Sequence, residues 1–490
     1  MKKHYLTSYL HRLTIIPLLF MMIAWTVKDE GKIPITTSSD EALNYYLQGR
    51  ALSDKYLNEE SIKYYEKAIE LDSNFAMAYL NLSFVQASTK GFLEHLDKAV
   101  ALVDHVSEGE RLQIMGWHAL YIDAKPMKQR EYFQKLVEAY PNDERSHYLF
   151  GLSYNGQQEW KPAIEAFKKA TKIAPGFSPP YNFIGYAYMF LENYNEAEKA
   201  FKKYTELIVN DPNPHDSYAE LLMKMGKYDK SIEHYKKALS LDPNFIFSYE
   251  GIASNLNYKK QHEEARKQLQ KYYDKARNDS ERGQACFAMA VSYVDEGNLD
   301  QALMELKNKY ALDEKSNDAA AMSRDLNGMG NILQEMGSFD KAMAKFDKAV
   351  QVAEESNLSN EVKENFKRVY LYYAACVASM KKDFVSAKAK SEEYRKQAES
   401  IKNPNEIRFS HQLAGIIALE EKDYDKAIEE LQLANQQNPY NLYRMALAYK
   451  SKGDKEKAIK LCTKAANFNA LSNLNYAFIR NKAENLLAGM

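Results

Sequence analysis

The sequence predicts an all-α protein assembled from repeated helix–turn–helix units, not folded around one closed core. Three observations carry that expectation. At 490 residues the chain exceeds what a single hydrophobic core encloses, so it must divide into domains or extend by repetition. Ala, Leu, Glu, Lys and Tyr dominate, while 13 prolines and 19 glycines punctuate the whole length, a helix-forming mixture with few breakers. One phrase also recurs. GKYDKSIEHYKKALSLDPN from Gly226 returns as LNEESIKYYEKAIELDSN from Leu57, EWKPAIEAFKKATKIAPG from Glu159, GSFDKAMAKFDKAVQVAEE from Gly337 and KDYDKAIEELQLANQQNPY from Lys422. No run alternates Val, Ile and Thr in the manner of a strand.

Taken in order, residues 1–27 come first. Lys2, Lys3, His11 and Arg12 precede the apolar run LTIIPLLFMMIAWTV, and Asp29 and Glu30 follow it. A basic flank, a short apolar stretch and an acidic far side fit a secretory signal peptide or an N-terminal membrane anchor, with the body translocated. The apolar run, Leu13 to Val27, is brief beside the ~20 residues of a membrane span. No clean small-x-small cleavage site follows it, and no cysteine stands near to carry a lipid. A cleaved exported form, an uncleaved anchor and a non-exported protein all stay open; an exported, periplasmic or membrane-anchored location is the expectation. Residues 28–40, KDEGKIPITTSSD, read as a linker.

The repeat begins near residue 41. Aligned on its small residue, the phrase gives Ser61, Ala163, Ala197, Ser231, Ala265, Ala302, Ala342, Ala387, Ala427 and Ala458, with separations of 102, 34, 34, 34, 37, 40, 45, 40 and 31. The first separation is three times 34, so a 34-residue period runs through the chain. Twelve positions before each stands a second small residue: Gly49, Gly151, Gly185, Ala219, Ala253, Ala290, Gly330, Ala375, Gly415 and Ala446. Two small residues so placed let an antiparallel helix pair approach closely. Four residues beyond the first series comes a large apolar side chain on the same helical face, as in Tyr65, Phe167, Phe201, Tyr235, Phe346 and Leu431. Pro141, Pro175, Pro243 and Pro439 are expected to end their units.

In these slots the chain resembles the tetratricopeptide repeat family. The pattern is best met over 144–177, by His147, Phe150, Gly151, Tyr154, Ala163, Phe167, Ala170 and Pro175, and next over 212–245. The resemblance covers about 42–472 and implies a superhelical solenoid, here of about eleven to twelve units. Residues 41–282 form an N-terminal array, degenerate around 76–143, where Trp117 occupies a slot that should be small and the helix pair is expected to splay. Residues 283–472 form a C-terminal array in which the wider spacings imply longer turns near 317–322, 357–367 and 402–407. Residues 473–490 form a capping helix for the last unit.

Chemistry is sparse. No phosphate loop, dinucleotide fingerprint, HExxH, GxSxG or calcium loop occurs, and no cofactor or metal is expected. The nearest fragment, GMG at Gly328 to Gly330, lies inside a repeat helix. None of the ten histidines pairs with another at i, i+3 or i, i+4. His215 and Asp216 are adjacent, but neighbours on a helix point ~100° apart and do not cooperate easily. Cys286, Cys376 and Cys462 form no ligand spacing and read as small buried hydrophobes. With 66 basic and 67 acidic residues the net charge is -1, which argues against a nucleic-acid partner.

What remains is binding, and an enzyme is not expected. The resemblance implies a concave surface lined by the first helix of each unit. Carried over by slot, it places Tyr148, Asn155, Asn182, Tyr186, Met189, Asp216, Glu220, Lys224, Glu250 and Asn257 in a partner-binding groove, with Leu152, Met223 and Ser254 beside them. Aromatic, amide and carboxylate groups together suit an extended peptide. Some family members grip a partner's C-terminal carboxylate with a Lys/Asn/Arg clamp; here the matching slots hold Tyr148, Leu152, Asp216 and Glu220, whose acids repel an anion. The leading expectation is a non-enzymatic scaffold for a protein or peptide. The alternative is a sensory ligand-binding module acting with a separate signalling protein.

Overall fold

The computed structural model describes residues 31–490; the expectations for residues 1–27 lie outside the described residues. Within them are twenty-five α-helices, one short 3₁₀ turn and no strand. The helices form twelve antiparallel pairs, from Asp40–Ser53 with Asn58–Leu71 to Pro439–Ser451 with Lys455–Ala466, followed by a last helix, Leu474–Ala488. The first helix of each pair is called A and the second B. Among the described residues no helix is long and apolar enough to cross a membrane.

The pairs close at the small residues picked out by the sequence. A Cβ added at Gly151 would lie 2.4 Å from the Phe167 ring, at Gly185 2.6 Å from Phe201, and at Gly330 2.2 Å from Phe346. The aromatic side chain of helix B therefore sits where an A-helix side chain would otherwise be. The partner series is as tightly held: Ala163, Ala197 and Ala342 are fully buried, and Ser231 Oγ donates to the Ala219 carbonyl at 2.7 Å.

Most A–B turns use a left-handed residue. Eleven of the twelve turns carry one, among them Tyr56, Gln158, Glu192, Gly226, Lys260, Gly337 and Lys422. Except in the third unit it stands seven positions beyond the small residue of helix A, where the chain must reverse without losing its last carbonyl bonds.

Three details differ from the sequence reading. First, residues 76–143 are not splayed. They form two ordinary pairs, Ala76–Val85 with Thr89–Ala101 and Glu108–Tyr121 with Pro126–Ala139. The small position of the second is Gly116, one residue before Trp117, and a Cβ there would lie 2.4 Å from Phe133; one extra residue before the turn shifts the register. Second, the wider spacings lengthen helices, not turns. From Asp279–Glu296 to Pro404–Glu420 the helices run to 16–21 residues, joined at 316–318, 355–359 and 401–403 by short turns. Extra helix satisfies each added N–H and C=O internally, which a longer loop does not. Third, Pro439 opens a helix instead of ending a unit, as do Pro126, Pro179, Pro212 and Pro404. The first helical turn has no N–H to lose.

The array winds into a superhelix that meets itself after about seven units. Ser280 Oγ donates to the Ala87 carbonyl at 2.5 Å, the Lys90 N–H to Asp318 at 3.1 Å, Asn403 Nδ2 to the Ala124 carbonyl at 3.1 Å and Arg408 to the Gln157 carbonyl at 3.2 Å. A helices face the inside of this coil, and two segments without counterparts in the repeat line or fill it.

Candidate functional site

The first of these segments is the stretch expected to be a linker. From Gly31 to Ser39 it is an extended strap running across the N-terminal ends of the A helices of units four, three and two. The Ile33 N–H donates to Asp143 at 3.1 Å, the Thr36 N–H to Glu110 at 2.8 Å and the Ser38 N–H to Asp72 at 2.7 Å. Thr36 and Thr37 add hydroxyl bonds to Glu110 and Asp72 at 2.5 and 2.6 Å. Two carboxylates at helix starts, Asp143 and Glu110, where negative charge is favoured, and a third, Asp72, at the end of the helix Asn58–Leu71, thus hold the backbone of a peptide. The linker expectation is corrected from residue 31 onward.

Beneath the strap, Ile33 and Ile35 help close a cavity of 520 Å³ on the concave face of units one to four. Its apolar walls are Met77, Leu80, Phe84, Trp117, Leu149 and Leu152, and Asn405 from the eleventh unit stands at its edge. The polar groups are mostly amides: Asn81, Gln113, Gln129, Asn155 and Gln157. Gln129 and Gln157 are each only 2 % exposed, and Gln157 Oε1 and Asn155 Oδ1 are buried without a hydrogen-bond partner.

The charges there are unequal in their freedom. Arg145 is tied to Asp54 through a two-pronged ion pair, one arm at 3.2 Å, and lies 4.8 Å over the Phe177 ring. Arg50 rests 5.5 Å over the Tyr46 ring and joins no ion pair among the described residues. The pKa of Tyr56, in the left-handed turn of unit one, is pushed up to about 12 by burial, so the side chain remains a neutral phenol.

The second segment is the C-terminal one, and it fills the concave side further along. The last helix caps the twelfth unit as expected. It also packs Tyr476, Ile479 and Ala483 into a core shared with Val294, Leu306 and Ile332 of the eighth and ninth units. Arg480, almost fully buried, pairs with Asp295, to which His262 Nε2 also bonds at 2.9 Å. The turn before this helix, 467–473, lies over Lys224, Tyr228 and Glu250. Lys224 Nζ donates to the Phe468 carbonyl at 2.5 Å and sits 3.7 Å from the centre of the Phe468 ring. Tyr228 Oη donates to Asn469 Oδ1 at 2.9 Å.

The ten residues expected in the groove therefore fall into separate places. Tyr148 and Asn155 line the open cavity. Asn182, Met189 and Asn257 are buried; Asn257 accepts from Ser292 Oγ at 2.8 Å, and its carbonyl accepts from Arg480. Tyr186, Asp216, Glu220, Lys224 and Glu250 form one charged cluster towards the C-terminal segment. Tyr186 Oη donates to Glu220 at 2.8 Å and Ser248 Oγ to Asp216 at 2.6 Å. Burial, aided by repulsion from neighbouring acids, lifts Asp216 and Glu220 to about 7, and burial raises Glu250. Burial brings Lys224 down to about 8.

Sequence reasoning missed Tyr46, Arg50, Gln113, Trp117 and Gln157, although the signal for most of them was present. Counting 102 positions back from Tyr148, Leu152 and Asn155 lands on Tyr46, Arg50 and Ser53, and aligning Gly116 with Gly151 lands on Gln113, Trp117 and Leu120; all six line the cavity.

Burial pushes the thiols of Cys286 and Cys376 up to about 12 and about 11, and takes His215 down to about 4. Among the described residues no three His, Cys, Asp or Glu side chains gather to hold a metal ion.

The tetratricopeptide repeat profile matches residues 42–75, 178–208 and 439–470, and a second profile of the same description matches 219–245. These stretches are tetratricopeptide repeats. Three of the matched stretches begin near the start of an A helix and the fourth, 219–245, inside one; all run to the end of the following B helix or past it. Tetratricopeptide repeats are in general non-catalytic protein-interaction modules. No curated protein sequence matches the chain. Among solved structures, MamA is 24% identical over 31% of this chain and 89% of its own, with a TM-score of 0.27. YrrB, described as a TPR protein with an unusual peptide-binding site, is 19% identical over 37% of this chain and 93% of its own, with a TM-score of 0.26. The human IFIT1 dimer with PPP-AAAA is 15% identical over 89% of this chain and 96% of its own, with a TM-score of 0.38.

Proposed function

We propose that this tetratricopeptide repeat protein is a non-enzymatic scaffold that captures an extended peptide segment of a partner in the cavity of units one to four. The observation that carries the reading is the cavity itself, a 520 Å³ space walled by Phe84, Trp117 and Tyr148 and lined with the amides of Asn81, Gln113, Gln129 and Asn155. A peptide backbone supplies N–H donors at regular intervals, and a large apolar side chain fits between Trp117, Leu149 and Leu152. Arg50 is left to meet a carboxylate or carbonyl of the same segment. The strap and the superhelix hold the cavity ready before the partner arrives, which lowers the ordering cost of capture.

A cavity of 520 Å³ also falls in the size range of small-ligand sites, which supports the alternative of a sensory module. Binding to a peptide array separates the two. Gln157→Ala and Arg50→Ala should each weaken peptide capture about tenfold with helical content unchanged. Wild-type protein that binds no peptide, but retains a small molecule in native mass spectrometry, would move the reading to the sensory module. An oligonucleotide retained in the same measurement would overturn both. Export or membrane tethering through residues 1–27 belongs to the same proposal and is checked by cell fractionation with and without that segment.

A further inference from the structure

Where the coil meets itself, the contact is not flush. A second cavity, of 500 Å³, opens along the seam between units two and three on one side and units nine and ten on the other. Three of its lining residues, Ala87, Thr89 and Ala124, bond across that seam: the Ala87 carbonyl accepts from Ser280, Thr89 Oγ1 from Arg324 and the Ala124 carbonyl from Asn403. Bonds at the edges thus fix the separation of two walls that do not pack against each other.

The walls are largely aromatic. Phe84, Phe92 and Phe366 line them with Tyr121, whose ring centre lies 4.8 Å from that of Phe92 and which leaves nearly half of its surface uncovered. Phe84 and Tyr121 also line the cavity of units one to four, but no other residue is shared.

The charge is of one sign. Among the described residues Arg324 is the one charged side chain along these walls, and it joins no ion pair. Asp318, the acid that enters the seam, is taken up by the N–H groups of Lys90 and Ala321. Asn365 adds a donor, because its Oδ1 accepts from Arg368 at 3.1 Å and leaves the Nδ2 hydrogens for another acceptor. Arg368 is almost fully buried, its Nε has no hydrogen-bond partner, and it joins no ion pair among the described residues. A guanidinium taken out of water without a carboxylate leaves a positive field behind the Asn365 amide. Aromatic walls, free donors and positive charge with no lining acid suit an apolar anion and disfavour an amine.

We propose that the seam cavity binds a small organic acid, with its apolar body between the rings of Phe84, Phe92, Tyr121 and Phe366 and its carboxylate at Arg324 and the Asn365 amide. Thr89 and Arg324 stand 235 residues apart in sequence, so the bound acid ties the coil to itself. The site does not depend on peptide capture in the cavity of units one to four.

The test titrates the full chain with 4-phenylbutyrate by calorimetry and follows hydrogen exchange over 86–90 and 360–366. The acid should bind and slow exchange in both stretches. Arg324→Gln should weaken it about tenfold, the worth of one charge-assisted hydrogen bond, and neutral 4-phenylbutyramide should bind wild type weaker by a similar factor. Thr89→Ala removes the bond across the seam but keeps the guanidinium, and should bind the acid as wild type does. No binding, or an amide that binds as tightly as the acid, would overturn the proposal. So would a loss on Thr89→Ala equal to that on Arg324→Gln, since the arginine would then only hold the seam. A phenylalanine-terminated peptide that binds more tightly than the acid through the same arginine would give the cavity to a chain terminus and overturn its assignment to a small molecule.

Discussion

Seven residues beyond the small residue of helix A, in most units, the backbone turns left-handed, and the side chain at that point sets a small cost repeated along the array. Gly226, Gly297, Gly337 and Gly453 adopt it freely, whereas Lys382 and Lys422 hold φ of 64° and 66° against the steric preference of an L-residue, at about 1 kcal/mol each. Lys422→Gly should therefore raise the unfolding free energy by roughly 0.5–1 kcal/mol, and Gly453→Ala should lower it by a similar amount, both read from urea denaturation. A loss on Lys422→Gly would mean that the lysine side chain contributes more than its backbone costs. This rule was only partly legible. Where glycine fills the slot it stands out, but Tyr56, Gln158, Glu192 and Lys260 conceal it, because a non-glycine residue meets the same backbone demand at a tolerable penalty. The close approach at Gly151, Gly185 and Gly330 was fully legible, since a 2.2–2.6 Å clash leaves no substitute for a missing side chain.

Among elements, the strap is the one whose role composition conceals. Ser, Thr and a proline read as a linker, and nothing local contradicts that. The partners lie 34, 74 and 110 residues away, at Asp72, Glu110 and Asp143. Glu110 is the pivot. Fully buried, it accepts the N–H and hydroxyl of Thr36 and closes the capping box with Ser107. Glu110→Ala should cost about 3 kcal/mol through lost charge-assisted bonds and a lost cap. Hydrogen exchange at residues 33–38 should accelerate while the helices of units six to twelve keep their protection, as expected where each unit leans only on its neighbours. Unchanged exchange at Thr36 would show that something other than the acid shelf holds the strap. The cavity below was half legible. Tyr148 and Asn155 were found by slot, but the one-residue slip at Gly116 hid Gln113 and Trp117, because aligning on sequence spacing assumes the turn it is trying to locate.

For the whole molecule, the buried pair of Arg480 and Asp295 ties the end of the chain to the wall of the seventh and eighth units. Burial opposes the Asp295 carboxylate, yet bonds from His262 and Arg480 hold it below the usual carboxylate range. Removing one partner strands a charge: Arg480→Met should cost about 3–5 kcal/mol and expose the last helix to exchange. Replacing both, with Arg480→Met and Asp295→Leu, should recover most of that loss in the same urea titration. If the single and double variants are equally damaged, packing and not charge is what the pair provides. The sequence by itself determined the local repeat: helix, small residue, turn, aromatic, again and again, because those choices are governed by neighbours within one period. It also pointed to a binding role and away from chemistry. Tertiary structure alone decided that the coil meets itself after about seven units, that a strap covers one stretch of its inner face and that the C-terminal segment fills another. Those outcomes depend on small angles accumulated over many units and on contacts hundreds of residues apart, and no window of sequence contains either.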